Sequence, residues 1–175
     1  MKKVVITGGP CSGKTTVINE LGKRGYEVVG EVARNVINER KNNPLTYDEH
    51  HLRQELIFLR QVEKEKQVHA DVTFFDRGIF DNFAYQLHFL GDVIPKYLEL
   101  VKNYPRYNGV FVLERLPFEH DGLRIEEGEL EAQKLHDDIV MQYDYFGYKP
   151  IFVPVMDIEK RVDFVIRSVL EEKND

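Results

Sequence analysis

The stretch "VVITGGPCSGKTT", residues 4–16, runs from apolar residues through a glycine-rich turn to a lysine and two threonines. Within it, Gly8, Gly9, Pro10, Cys11, Ser12, Gly13, Lys14 and Thr15 satisfy G-x-x-x-x-G-K-[ST] in full. Glycines let the backbone curl until successive N–H groups face one concavity, which receives an anion. A helix opening at the same point adds its positive end. The pattern therefore predicts a nucleotide phosphate site. Lys14 is expected to reach the β- and γ-phosphates, the Thr15 hydroxyl to bind Mg²⁺, and Thr16 to add an α-phosphate contact. The plainer alternative is an ordinary glycine turn, but an apolar strand before and a helix after are the context a phosphate loop needs. Cys11 lies near a helix start, where a thiol pKa can fall; it has no histidine neighbour in sequence and is read as loop backbone.

Outward from this loop, short apolar runs alternate with helical stretches. Strands are predicted at "KVVIT" (3–7), "YEVVG" (26–30), "VTFFD" (72–76), "GVFVLE" (109–114) and "IFVPV" (151–155). Helices are expected at about 13–24, in "EVARNVINERK", from Thr46 to about 70, at roughly 80–90, 92–103, 129–146 and 158–172. Thr46 and Glu49 have the spacing of a reciprocal capping box, and Leu52, Leu56, Leu59 and Val62 are assigned to one buried face of the helix they open. Strands without polar alternation, separated by helices, predict an α/β fold with a parallel sheet of about five strands and helices on both faces. That is the three-layer arrangement of a P-loop NTPase. The 175 residues fit one domain, with "RLPFEHDGLRIEEG" (115–128) expected as a short arginine-bearing lid. In such sheets ligands sit beyond the carboxyl ends of the strands, so functional residues should directly follow strands.

The composition, 42% hydrophobic and 31% charged, is that of a globular chain. A net charge of −6 argues against broad nucleic-acid or anionic-membrane contact. One cysteine excludes an internal disulfide and suits a reducing, cytoplasmic setting. No signal peptide or membrane span is expected.

Three further sites follow strands. Asp76 ends "VTFFD", where a carboxylate can organise Mg²⁺ through water; the alternative is a helix cap. Arg77 follows in "DRG", facing an acceptor of the transferred phosphoryl or held in a structural ion pair. Glu31 and Arg34 are one helical turn apart in "EVAR". Glu31 is a candidate base for an acceptor hydroxyl, or half of a surface ion pair worth little. In the lid, Arg115 and Arg124 are either solvated or supply a phosphoryl-stabilising arginine, with Arg124 favoured because "DGLR" can hinge at Gly122. Pro154 is placed beside the nucleotide base by position alone. The six histidines show no metal-ligand spacing and are assigned to the surface.

The segments "GGPCSGKTT", "EVAR", "FFDRGIFDNFAY", "LERLPFEHDGLRIE" and "VPVMDIEKRVDFVI" together resemble the NadR-like AAA domains, a P-loop family close to nucleoside and nucleotide kinases. The resemblance covers nearly the whole chain. It implies ATP or GTP bound at residues 8–16, a metal-linked carboxylate at Asp76 and a lid arginine near Arg124. The namesake phosphorylates nicotinamide riboside with ATP, and other members bind nucleotides and lipids; this sequence holds no adenylyltransferase or DNA-binding segment beside the resembling one. The expected function is Mg²⁺-dependent transfer of the γ-phosphoryl of ATP to a small hydroxyl acceptor such as a nucleoside. The catalytic set is Lys14, Glu31, Asp76, Arg77 and Arg124. The alternative is a nucleotide-dependent binding module with slow hydrolysis.

Overall fold

In a computed structural model, which describes residues 1–117 and 128–171, five strands form one parallel sheet in the order β2-β3-β1-β4-β5. In chain order the elements are β1 (Lys2–Thr7), α1 (Lys14–Lys23), β2 (Glu27–Val29), α2 (Val32–Glu39), α3 (Tyr47–Lys66) and β3 (Val72–Asp76). They continue with α4 (Asp81–Leu90), α5 (Pro95–Val101), β4 (Gly109–Leu113), α6 (Glu129–Tyr145), β5 (Ile151–Val153) and α7 (Ile158–Glu171). The parallel α/β architecture expected from the strand–helix alternation is present. β1 is central, in register with β3 (Val4 opposite Phe74) and with β4 (Ile6 opposite Phe111).

The absence of polar alternation in the strands has a direct cause. Val4 and Ile6 of β1 pack with Val17, Leu21, Val162 and Val165 beneath α1 and α7, while Val5 packs with Phe58, Phe83 and Leu135 beneath α3, α4 and α6. Successive side chains point to opposite faces, and both faces are covered. The chain leaves β1 toward the β2 edge and β4 toward the β5 edge. The carboxyl ends of β1 and β4 therefore flank the crevice where a ligand is expected.

Three details differ from the sequence expectation. Helix α3 ends at Lys66, four residues before the expected stop, with Lys64 and Lys66 in its last turn. Its predicted apolar face is buried only in part: Val62 is buried and Leu56 half-buried, but Leu52 and Leu59 are 38% and 50% exposed, while Arg53, Gln54, Ile57, Phe58, Gln61 and Glu65 are buried. The helix turns a polar stripe inward because it borders a cavity and a buried hydrogen-bond network. The capping box is half formed. Thr46 Oγ1 accepts from the Glu49 N–H, but the Glu49 carboxylate binds Arg40, Arg53 and Asn43, and the Thr46 N–H donates to Pro44 O instead. Among the described residues, no helix is long and apolar enough to cross a membrane.

Candidate active site

The loop between β1 and α1 requires its glycines. Gly8 has φ +129°, and a Cβ there would stand 2.7 Å from the Leu113 carbonyl oxygen of β4; Gly13 has φ +82°. Lys14, buried, folds back over the loop and donates to the carbonyl oxygens of Gly8 (2.9 Å) and Gly9 (2.8 Å) and to Ser12 Oγ (3.1 Å). Burial, with the Arg77 charge beside it, lowers its pKa to about 8 against the pull of Asp76, Glu31 and Asp81. The Gly9 N–H donates to Nδ1 of His136 at 3.0 Å. That histidine is buried rather than superficial, and burial lowers its pKa. No local pattern points to it: the partners are 127 residues apart.

Thr15 Oγ1 donates to Asp76 Oδ2 at 3.1 Å, while Asp76 Oδ1 is buried with no hydrogen-bond partner. A buried carboxylate oxygen left unmatched marks a place for a ligand atom or water. Burial pushes the Asp76 carboxyl up, with Glu31 adding to it and Lys14 and Arg77 opposing. One hydroxyl and one carboxylate form an oxygen-only donor set that could hold Mg²⁺, an ion that keeps several of its waters. Among the described residues, no group of three or more His, Cys, Asp or Glu side chains could itself hold a metal.

Arg77 has φ +72°, unusual for a side-chain-bearing residue. Its surroundings hold it there. Its N–H donates to Ile6 O, and its carbonyl accepts from Gln61 Nε2 at 3.1 Å. The same Gln61 donates to the buried Glu65 (2.9 Å), which also accepts from Tyr107 (2.7 Å) and Tyr104 (3.0 Å). The next two amides are fixed as well, Gly78 N–H on Asp81 Oδ2 (2.9 Å) and Ile79 N–H on Tyr107 Oη (2.8 Å). Asp81 further accepts from Thr7 (2.5 Å) and Tyr143 (2.6 Å). Such over-determination is what a strained functional backbone needs.

The Arg77 guanidinium is thereby aimed at Glu31, with Nε 3.1 Å from Oε1, and it lies 5.0 Å from the Tyr85 ring centre. Arg34 Nε reaches the other Glu31 oxygen at 3.4 Å. Burial pulls the Glu31 pKa up, but the charges of Arg77, Lys14 and Arg34 outweigh it and hold the carboxyl below its ordinary range. Glu31 and Arg34 do form the i, i+3 pair foreseen in the sequence. Arg77 is the additional, half-buried partner.

A cavity of about 520 Å³ joins these groups, bounded by the phosphate loop, α2, α3 and α4. Lys14, Thr15, Thr16, Glu31, Asp76 and Arg77 all line it. So do Ile37, His50, Gln54, Ile57 and Phe89, none of which was assigned to the site from the sequence. His50, expected on the surface, stacks on Phe89 at 4.9 Å and 8°. Gln54 is buried and its Oε1 has no partner. The one available signal was the run of polar residues on α3, hidden because its apolar residues suggested a different inward face.

Pro10, Cys11, Ser12 and Gly13 of the loop also line the cavity, whereas Arg115 and Pro154 do not line it. Arg115 donates from Nε to Pro10 O (3.0 Å) and from Nη1 to Glu129 (2.7 Å) and Gln133 (3.1 Å), so its seen contacts are with loop backbone and α6. Pro154 offers its carbonyl to Arg161 Nε (3.0 Å). The Cys11 carbonyl accepts from Leu116 N–H (2.8 Å). Arg124 and most of the 115–128 segment lie outside the described residues.

Residues 3–161 match the AAA domain family, and this chain belongs to that family. Its fold is a P-loop NTPase fold similar to that of nucleoside kinases. A deoxyadenosine kinase from M. mycoides with bound dATP superposes with a TM-score of 0.66 at 20% identity, over 97% of this chain and 100% of the other. The same kinase with bound dCTP gives 0.64 at 20% identity, over 97% and 99%. A NadR protein in complex with NR gives 0.73 at 14% identity, over 99% of this chain and 52% of that one, so this chain spans about half of NadR. At these identities the likeness is one of fold. No curated protein matches the sequence.

Proposed function

We propose that this protein is a Mg²⁺-dependent kinase that transfers the γ-phosphoryl of ATP to a hydroxyl of a small acceptor such as a nucleoside. The observation that carries the reading is Glu31: a carboxylate held by Arg77 at the wall of a cavity that also contains the phosphate-loop lysine, with neighbouring positive charges holding its pKa below the ordinary range. A module that only holds nucleotide has no need of a positioned base facing room for a second molecule.

In this reading the loop amides and Lys14 hold the donor phosphates, and Lys14 leaves its carbonyl partners for phosphate oxygens. Thr15 and Asp76 would hold Mg²⁺, which supplies charge neutralisation at the donor phosphates when bound. The acceptor lies between α2, α3 and α4, with its ring system against the His50–Phe89 stack and a donor group toward Gln54 Oε1. Its hydroxyl gives its proton to Glu31 as the oxygen attacks the γ-phosphorus and the bond to the β-phosphate oxygen breaks, releasing ADP. Glu31 is a weak base in the free protein, so it is set to accept a proton only as the hydroxyl becomes acidic in the transition state. Arg77 fixes the Glu31 carboxylate, and Arg124 keeps its expected role as a stabiliser of transferred charge.

The test is a screen of ribo- and deoxyribonucleosides and other small hydroxylated metabolites for acceptor-dependent ADP formation with Mg²⁺ and ATP. Phosphorylated product from at least one of them, lost in Glu31→Gln, is the expected result. ADP release that no acceptor accelerates, unchanged in Glu31→Gln, would leave the slow-hydrolysis module as the correct reading.

A further inference from the structure

Arg161 on α7 does not line the cavity, yet it is only 3% exposed. Each of its three nitrogens donates to a main-chain carbonyl oxygen in a different loop: Nη1 to Ser12 at 2.7 Å, Nε to Pro154 at 3.0 Å and Nη2 to Glu114 at 3.1 Å. The three segments are the phosphate loop and the turns that follow β5 and β4. A Cβ added to Gly13 would stand 3.4 Å from Nη1, so the guanidinium lies directly behind the loop.

In a trans peptide the carbonyl of one residue and the N–H of the next point in opposite directions. A donor that draws the Ser12 carbonyl outward therefore turns the Gly13 N–H inward. The same device is repeated at the two preceding peptides. Arg115 Nε holds the Pro10 carbonyl at 3.0 Å, and the Leu116 N–H holds that of Cys11 at 2.8 Å. These contacts turn the N–H groups of Cys11, Ser12 and Gly13 together, toward the side away from Arg115, Leu116 and Arg161.

We infer that Arg161 is a positioning residue for phosphate recognition: it fixes the outer side of the phosphate loop so that the loop amides face the anion. The inference rests on the reading of residues 8–16 as a nucleotide phosphate site. It goes beyond that reading by assigning the shape of the loop to a helix some 150 residues away in sequence, 149 positions from Ser12. Three convergent donors in a planar fork suit this task, whereas lysine keeps the charge but concentrates it on one nitrogen of a flexible stem.

The test compares Arg161→Lys and Arg161→Gln with the unaltered protein, measuring the Kd of ATP by calorimetry and of inorganic pyrophosphate by displacement of a fluorescent ATP analogue. Arg24→Gln is the control. It removes the ion pairs from Arg24 to Glu159 and Asp163 of α7 without touching the loop. Both Arg161 variants should weaken ATP and pyrophosphate by the same factor, roughly tenfold or more, in protein that still unfolds cooperatively, while Arg24→Gln binds both normally. Pyrophosphate bound with unaltered affinity by a folded Arg161 variant overturns the inference, even if ATP is weakened, since the effect would then lie on the base side near Pro154. If neither variant folds, amide NMR of the unaltered protein decides. Pyrophosphate should shift the Gly13 amide downfield, and an unmoved Gly13 amide overturns the proposal. An unaltered protein that binds neither ATP nor pyrophosphate defeats the phosphate-site reading itself, a result seen before any variant is made.

Discussion

Lys14 is a buried charge and Glu31 a half-buried one; the present partners of both are other parts of the protein, and substituting them should separate binding from chemistry. The Lys14 ammonium rests on loop carbonyls, which in the proposed function it exchanges for phosphate oxygens. A hydrogen bond involving a charged group contributes about 1.5–3 kcal/mol, so Lys14→Ala should weaken ATP roughly 10- to 100-fold by calorimetry while the far-UV spectrum stays unchanged. Glu31→Gln keeps size and removes basicity. It should lower acceptor turnover roughly 10²- to 10⁴-fold and leave the ATP Kd within a factor of a few. Full turnover in that variant would reduce Glu31 to the ion-pair partner of Arg77 and Arg34.

At the level of elements, the turn from β3 into α4 is fixed by contacts that leave no room for a side chain. A Cβ on Gly78 would stand 2.7 Å from both Tyr107 Oη and Tyr143 Oη, the two hydroxyls that tie Glu65 and Asp81 into place. Gly78→Ala should therefore cost about 1–3 kcal/mol in urea unfolding, and it should also impair turnover by shifting Arg77 off Glu31. The contact between α6 and the phosphate loop carries a pH dependence. His136 accepts the Gly9 N–H only while Nδ1 is unprotonated, and burial, opposed by Asp137 and Glu114 and assisted by Arg115 and Lys14, lowers its folded pKa. The unfolded chain thus takes up a proton near pH 6.5 before the folded one does. Stability present above that pH falls as pH drops through about 6.5, levelling off below the folded value. His136→Asn offers a non-titrating acceptor in a similar place, and the difference in urea midpoint between about pH 7.5 and 5.5 should shrink relative to the unaltered protein.

For the whole molecule, a ligand that binds only the folded state raises its stability by mass action. ATP with Mg²⁺ at about 100 times Kd should add about 2.7 kcal/mol, which for a chain of this size is a rise in Tm of roughly 5–10 °C. Asp76→Asn should retain the rise given by ATP alone and lose the further increment given by Mg²⁺. Coincident Mg²⁺ titrations of variant and unaltered protein would show that Asp76 serves Thr15 and the loop, with no part in metal binding.

The amino-acid sequence by itself determined the parallel α/β class, the strand positions to within two residues and the identity of the phosphate loop. These are local properties: apolar runs, breakers, and a glycine pattern whose geometry is set by its own backbone. Placing functional residues just after strands also brought Glu31, Asp76 and Arg77 to attention, because a parallel sheet gathers its carboxyl ends on one side. Only the tertiary structure decided what those residues touch. The pairing of Arg77 with Glu31, the His136 contact to Gly9, and the bonds from Arg161 to Ser12 and Glu114 all join residues 46 or more positions apart, and the cavity wall from α3 and α4 forms only when those helices pack against the phosphate loop. Helix α3 shows why such features escape a one-dimensional reading. Which stripe of an amphipathic helix faces inward depends on whether its neighbours present an apolar core or a polar site, and that is fixed only when the elements pack.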